Sequence, residues 1–103
     1  MPARSAARNH KDASLPVALR ADAARRAEVQ PDDVRLIEHR SVSWGDGSLG
    51  CPEPGRQYTQ AVVPGFRIRV EAGGRTLAYH ADRRGNWLWC PPGRAVEPVE
   101  PAN

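Results

Sequence analysis

Two periods of apolar residues divide the chain. Leu15, Leu19, Ala23 and Ala27 recur at every fourth position, with Arg20, Arg25 and Glu28 outside the stripe, and predict an amphipathic helix over residues 15–28. Ser14 is placed to cap this helix, Pro16 fits its first turn, and Pro31-Asp32-Asp33 ends it. The second half of the stripe is alanine, so the helix must lie close against something flat. Beyond it the period falls to two. Val34 to Trp44 reads as a strand with Val34, Leu36, Val42 and Trp44 on one side. Gln57 to Val63 reads as a second, closed by Pro64-Gly65. Phe66-Arg67-Ile68-Arg69-Val70 alternates strictly, and Gly73-Gly74 is a two-residue hairpin signal. Arg75 to Ala81 follows, then the turn Asp82-Arg83-Arg84-Gly85, then Asn86 to Cys90. A helix followed by an antiparallel meander is an α+β domain, one N-terminal helix packed on a four- to five-stranded antiparallel sheet.

The hairpins set a register. Pairing across Gly73-Gly74 puts Val70 opposite Leu77, Ile68 opposite Tyr79, Arg69 opposite Ala78 and Arg67 opposite His80. A four-residue second loop then puts Tyr79 opposite Leu88, Leu77 opposite Cys90, His80 opposite Trp87 and Ala78 opposite Trp89. One face becomes Phe66, Ile68, Val70, Leu77, Tyr79, Leu88 and Cys90, a core for the helix to cover. The other becomes Arg67, Arg69, His80, Trp87 and Trp89. A one-residue slip in the second turn would reverse the last strand and bury both tryptophans instead.

Around this body, residues 1–13 are small, polar and basic and read as a disordered arm. Residues 14–90 form the single α+β domain. Residues 91–103 are a proline-rich tail, extended and flexible. A folded part this small has a thin core and gains from a staple. No stretch approaches the length of an apolar membrane span. Fifteen Lys and Arg against twelve Asp and Glu leave a net charge of +3, too mild and too dispersed to name nucleic acid as the partner. All of those cations but Lys11 are arginine.

Candidate chemistry is sparse. Cys51 and Cys90 form no CxxC, and the pair reads as a structural disulfide, two buried thiols or one reactive thiol. Gly45-Asp46-Gly47-Ser48-Leu49-Gly50 matches G-x-G-x-x-G, but Cys51-Pro52-Glu53-Pro54-Gly55 follows and forbids the helix a nucleotide phosphate needs. Asp46 is the only carboxylate there, too few for a calcium loop. The stretch reads instead as an ordered, turn-rich loop. His39, His80, Cys51 and Cys90 match no zinc spacing. A Cys51–His80 nucleophilic pair needs a free thiol of low pKa. No catalytic residue, metal or cofactor is assigned.

The more informative feature is the face of Arg67, Arg69, His80, Trp87 and Trp89, which Tyr58 and Gln60 join if Pro64-Gly65 is a tight hairpin. Interleaved arginine and tryptophan can grip a protein, since both are common in interface hot spots. They can stack nucleobases. They can also merely cover one side of a thin sheet through cross-strand pairing.

The stretch from Trp44 through Gly45-Asp46-Gly47-Ser48-Leu49-Gly50-Cys51-Pro52-Glu53-Pro54-Gly55 to Tyr58-Thr59-Gln60, then Pro64-Gly65-Phe66-Arg67-Ile68, Tyr79-His80 and Cys90, resembles a family of small, mostly bacterial proteins of unknown function, often exported. That family carries a W-x-D-x-S-L-G-C-P-x-P-G-x-x-Y-T-Q core and a closing Cys. The resemblance implies a Cys51–Cys90 disulfide and an extracytoplasmic location, periplasmic or secreted. Residues 1–19 contain Arg4, Arg8 and Lys11 but no apolar signal segment, so they do not themselves indicate export. The resulting expectation is a disulfide-stapled, non-enzymatic interaction module. Its binding residues are Tyr58, Arg67, Arg69, His80, Trp87 and Trp89. Its partner is a protein, gripped in one form as a peptidase is gripped by an inhibitor loop. The alternative is a small nucleic-acid binder using the arginine–tryptophan sheet face.

Overall fold

The computed structural model describes residues 15–101. The expected Ser14 cap and the arm over residues 1–13 lie outside the described residues. Helix α1 spans Val17–Ala27 and a 3-10 turn covers Pro31–Asp33. Strands β1 (Arg35–Trp44), β2 (Val63–Ala72), β3 (Arg75–Asp82), β4 (Trp87–Trp89) and β5 (Glu100–Pro101) follow. They form one antiparallel sheet in the order β4-β3-β2-β1-β5. The fold is α+β, one helix on an antiparallel sheet with a disulfide.

Helix α1 starts without a side-chain cap: Pro16 occupies the N-cap in extended conformation. Its C-terminus closes at Glu28, which takes a left-handed conformation (φ 58°), while the Val29 N–H returns to the Ala24 carbonyl. Arg25 and Arg26 sit in the last turn, where cations complement the helix dipole. Leu19 and Ala23 are fully buried, and Leu15 and Ala24 nearly so. They meet Ile68, Val70, Leu77 and Tyr79 from the sheet, so the predicted stripe is the packed one. The β2–β3 hairpin has the expected register, because Gly73 (φ 59°) and Gly74 (φ 76°) both take left-handed angles that a tight two-residue turn requires.

Three expectations are corrected. First, residues 57–62 form no strand, and Pro64-Gly65 is not a turn but lies inside β2. Gly65 is needed for close approach, since a Cβ there would overlap the Ala81 carbonyl oxygen and press on the Trp44 indole nitrogen. That indole donates to the same carbonyl at 3.0 Å. Second, Val34, Leu36, Val42 and Trp44 do not share a side. The pairing steps from Leu36↔Val70 to Glu38↔Arg69, leaving Ile37 as a bulge. The extra residue inverts the alternation, so Leu36 packs with the helix while Val42 and Trp44 face away from it.

Third, the last strand slips by one residue. Tyr79 pairs with Trp89, His80 with Leu88 and Ala81 with Trp87. The cause is the turn. The Asp82 carboxylate accepts the Arg84 and Asn86 N–H groups and the Asn86 side-chain amide, and the Asp82 N–H donates to the Asn86 carbonyl. This closes a three-residue loop, Arg83-Arg84-Gly85, with Gly85 at φ 98°. Trp87 and Trp89 therefore lie on the helix side, and Leu88 and Cys90 on the other.

That other side is covered by chain with little regular structure. The segment 45–55 plugs it, and residues 91–101, expected as a flexible tail, run across it. The Val96 N–H donates to Gly50, the Val99 N–H donates to Ser43, and β5 pairs with Val42 and Ser43.

Candidate functional site

The expected binding residues are distributed over three places. His80 lies at the centre of the plug. It is 2% exposed, stacks on Trp44 at 4.3 Å between ring centroids, and donates its Nδ1–H to the Leu49 carbonyl at 2.6 Å. Burial holds its pKa below the ordinary histidine value, and nearby Arg67 and Arg69 add to this against the hydrogen bond to Leu49. The imidazole is packed and hydrogen-bonded within the plug.

The plug owes its shape to the glycine-rich motif. Asp46 Oδ1 accepts from the Ser48 N–H at 2.9 Å and from the Ser48 hydroxyl at 2.6 Å, an Asx turn. These bonds hold the Asp46 carboxyl below its usual range. Leu49 is forced left-handed (φ 57°) and aims its carbonyl at His80. Gly50 (φ 72°) lies against the Trp44 ring, where a Cβ would approach within 2.5 Å. Cys51 then bonds to Cys90, with Cα atoms 5.7 Å apart, inside the range a disulfide tolerates. The motif builds the plug, and Ser48 and His80 are each committed to structural bonds.

Arg67 and Arg69 do point away from the helix, as expected, but neither is a free cation. Arg67 Nε lies 3.3 Å from Glu38 Oε1, and its Nη1 lies 3.3 Å from Glu97 on the covering segment. Arg69 Nε lies 3.5 Å from the same Glu38 oxygen, and Arg40 reaches the other at 3.6 Å. The three arginines share one carboxylate: Arg67 is largely covered, while Arg69 and Arg40 remain about half exposed. The expected five-residue face is thus divided, because the slip moves both tryptophans through the sheet and the plug covers His80.

Trp87, Trp89 and Tyr58 come together with other residues around edge strand β4. Trp87 and Trp89 are half-buried beside α1. Trp87 meets Tyr79 edge-on at 5.7 Å, and the Arg26 guanidinium covers the Trp89 ring at 3.9 Å. Tyr79 donates to Asp22 at 2.6 Å, and Arg26 donates to the same oxygen at 2.7 Å, tying helix to sheet. Burial and that anionic acceptor raise the Tyr79 pKa far above the ordinary phenol value. Burial would raise the Asp22 carboxyl, but the bonds from Tyr79 and Arg26 outweigh it and hold the group low.

Along the outer side of β4 lies a cleft of about 330 Å³, bordered by Leu88, Trp89, Tyr58, Arg56 and Arg94. The Tyr58 hydroxyl accepts the Glu53 N–H at 3.0 Å, fixing the loop that makes the far wall, and the Arg56 guanidinium lies over the Tyr58 ring. Arg94 donates to the Pro52 carbonyl. Nothing in the sequence singles out Arg26, Arg56 and Arg94. No periodicity links them, and only the true β4 register brings them near one strand.

The family model for a domain of unknown function, DUF8738, matches residues 17–90. The chain belongs to the DUF8738 family. The match spans α1 through Cys90 and so includes the helix layer, the plug and β4, but not the covering segment 91–101. No curated protein and no solved structure matches the chain. Among the described residues of this DUF8738 domain, no group of three or more His, Cys, Asp or Glu is arranged to hold a metal ion. His39 lies on the helix side of the sheet, its ring tilted against Phe66 at 4.8 Å between centroids, and so on the opposite side from His80. No helix among the described residues is long and apolar enough to cross a membrane.

Proposed function

We propose that this DUF8738 domain is a non-enzymatic protein-binding module acting outside the cytoplasm, and that its contact surface is the rim around β4. The observation that carries this reading is the pair of half-exposed tryptophans on an edge strand, set among Arg26, Arg56, Arg83, Arg84 and Arg94. Tryptophan and arginine together are the residues that most often anchor protein interfaces. The disulfide supports an oxidising compartment. In an inhibitor-like form, the exposed loop 53–57, held by the disulfide at one end and Tyr58 at the other, is the segment a peptidase would grip. Base stacking is less well served, because Arg26 already covers the face of Trp89 and Trp87 is held edge-on to Tyr79.

A photo-crosslinking side chain placed at Arg84 tests this, with Thr76, exposed at the far end of β3, as the control position. Illumination in envelope and cytosolic fractions of the source cells should give a discrete protein adduct from position 84 in the envelope only. Equal labelling from both positions would remove the rim as the contact surface. A product destroyed by nuclease would turn the reading to nucleic acid.

A further inference from the structure

We infer that β4 takes an extended acidic segment of its protein partner as an added antiparallel strand, an inference that rests on the β4 rim being the contact surface. The argument begins with the backbone. His80 and Leu88 are directly paired, the Cys90 N–H donates to the Ala78 carbonyl at 2.9 Å, and the Asp82 N–H donates to Asn86 at 3.0 Å. In an antiparallel ladder, inward-bonded positions alternate with outward ones. The N–H and C=O groups of Trp87 and Trp89 therefore point away from β3. β4 is the last strand of its sheet, and among the described residues no backbone hydrogen bond reaches those groups. An open row of this kind is a template for another strand.

The opposite edge is less suited. β1 is bulged at Ile37, and β5 already occupies Val42 and Ser43. Bulges and short covers are how sheets discourage edge pairing.

The surroundings specify the occupant. Arg56 and Arg94 flank the cleft on the plug side of β4, and Arg26 lies on the helix side. Arg83 and Arg84 are exposed in the turn that leads into the strand. The nearby carboxylates are already engaged: Asp22 by Tyr79 and Arg26, Asp82 by its own turn, and Glu53 by Arg56 and Arg94. The edge thus presents excess positive charge to whatever lies along it. Residues directly opposite Trp87 and Trp89 place their side chains on the tryptophan side, and those opposite Leu88 point toward Arg56 and Arg94. The matching segment alternates apolar with acidic residues.

The test uses the full chain, a capped hexapeptide of alternating valine and glutamate, and two N-methylated versions of it. Tryptophan fluorescence reports binding, since Trp87 and Trp89 line the edge. The parent peptide should bind. Methylating the valine amides, which face β4, should weaken binding by about tenfold or more, while methylating the glutamate amides should leave it unchanged. Arg56→Glu, at a site whose side chain is 64% exposed, should also weaken it about tenfold without altering the fold. Equal binding of both methylated peptides overturns strand addition while leaving the rim as a contact surface. No binding of the parent at about 1 mM, or stronger binding of a valine–lysine peptide, also overturns it. An oligothymidylate that displaces the peptide would overturn both this inference and the protein-partner reading.

Discussion

The two sides of the sheet are covered by different means. On one, α1 lays Leu19, Ala23 and Ala24 onto Ile68, Val70, Leu77 and Tyr79, an apolar layer with polar ties at its margin, such as Tyr79 to Asp22. On the other, irregular chain covers Trp44, Val42 and His80, and its shape depends on specific bonds: a disulfide, an Asx turn and a histidine-to-carbonyl bond. The helix side rests on burial, which is tolerant of detail. The plug side rests on a few local geometries, each of which one substitution can remove. A small sheet can thus have two cores with unequal tolerance to change.

That contrast can be broken most directly at the disulfide. Replacing Cys51 and Cys90 with serine should cost about 4 kcal/mol, as the closed loop of 39 positions returns its entropy to the unfolded chain. Denaturant unfolding measures the loss. Hydrogen exchange locates it: the amides of Cys51, Val96 and Val99 should lose protection well before those of Ala23 and Ala24. If the helix amides weaken equally, the two sides form one cooperative unit.

Leu19→Ala probes the other side and should cost about 2–5 kcal/mol as a cavity in a fully buried site, while plug amides stay protected relative to the helix. Gly50→Ala should cost about 1–3 kcal/mol through its left-handed backbone and the Trp44 ring, and should perturb Trp44 fluorescence more than the Tyr79 environment.

His80 gives the pH signature. Its folded pKa is depressed, so below its ordinary value of 6.5 the unfolded chain binds a proton that the native state resists. Stability should be full above that value, fall as pH drops toward the folded pKa, and then level off. Asp22, Asp46 and Asp82, all held low, add a separate loss only as pH falls below about 4. His80→Gln should flatten the first decline in a pH series of melts and leave the second. Smallest of all, Glu97→Ala should move stability by under about 0.5 kcal/mol, because its side chain is 84% exposed.

The helix side could be read from sequence because its signals are repetitive. The four-residue stripe of α1 and the alternation from Phe66 to Val70 each state the buried face several times, and Gly73-Gly74 sets the register between β2 and β3. The plug side carries no period. The bulge at Ile37 inverts every later residue of β1 without leaving a mark in the hydrophobic pattern. The β4 register hangs on whether Asp82 closes a three- or a four-residue loop, which its side-chain bonds to Arg84 and Asn86 decide. That single step moved Trp87 and Trp89 across the sheet, away from Arg67 and Arg69. Pro64-Gly65 has the composition of a turn, but what Gly65 answers to is the nearness of Ala81 and Trp44.

The Cys51–Cys90 bond also makes a covalent ring of β2, β3, β4 and the exposed stretch from Glu53 to Val62. A protease that cut that stretch would leave an α1–β1 piece and a β2–β3–β4 piece still joined through sulfur. Cleavage there would pass unseen on a non-reducing gel and appear only once a reductant was added, so the domain could be nicked and still remain one molecule.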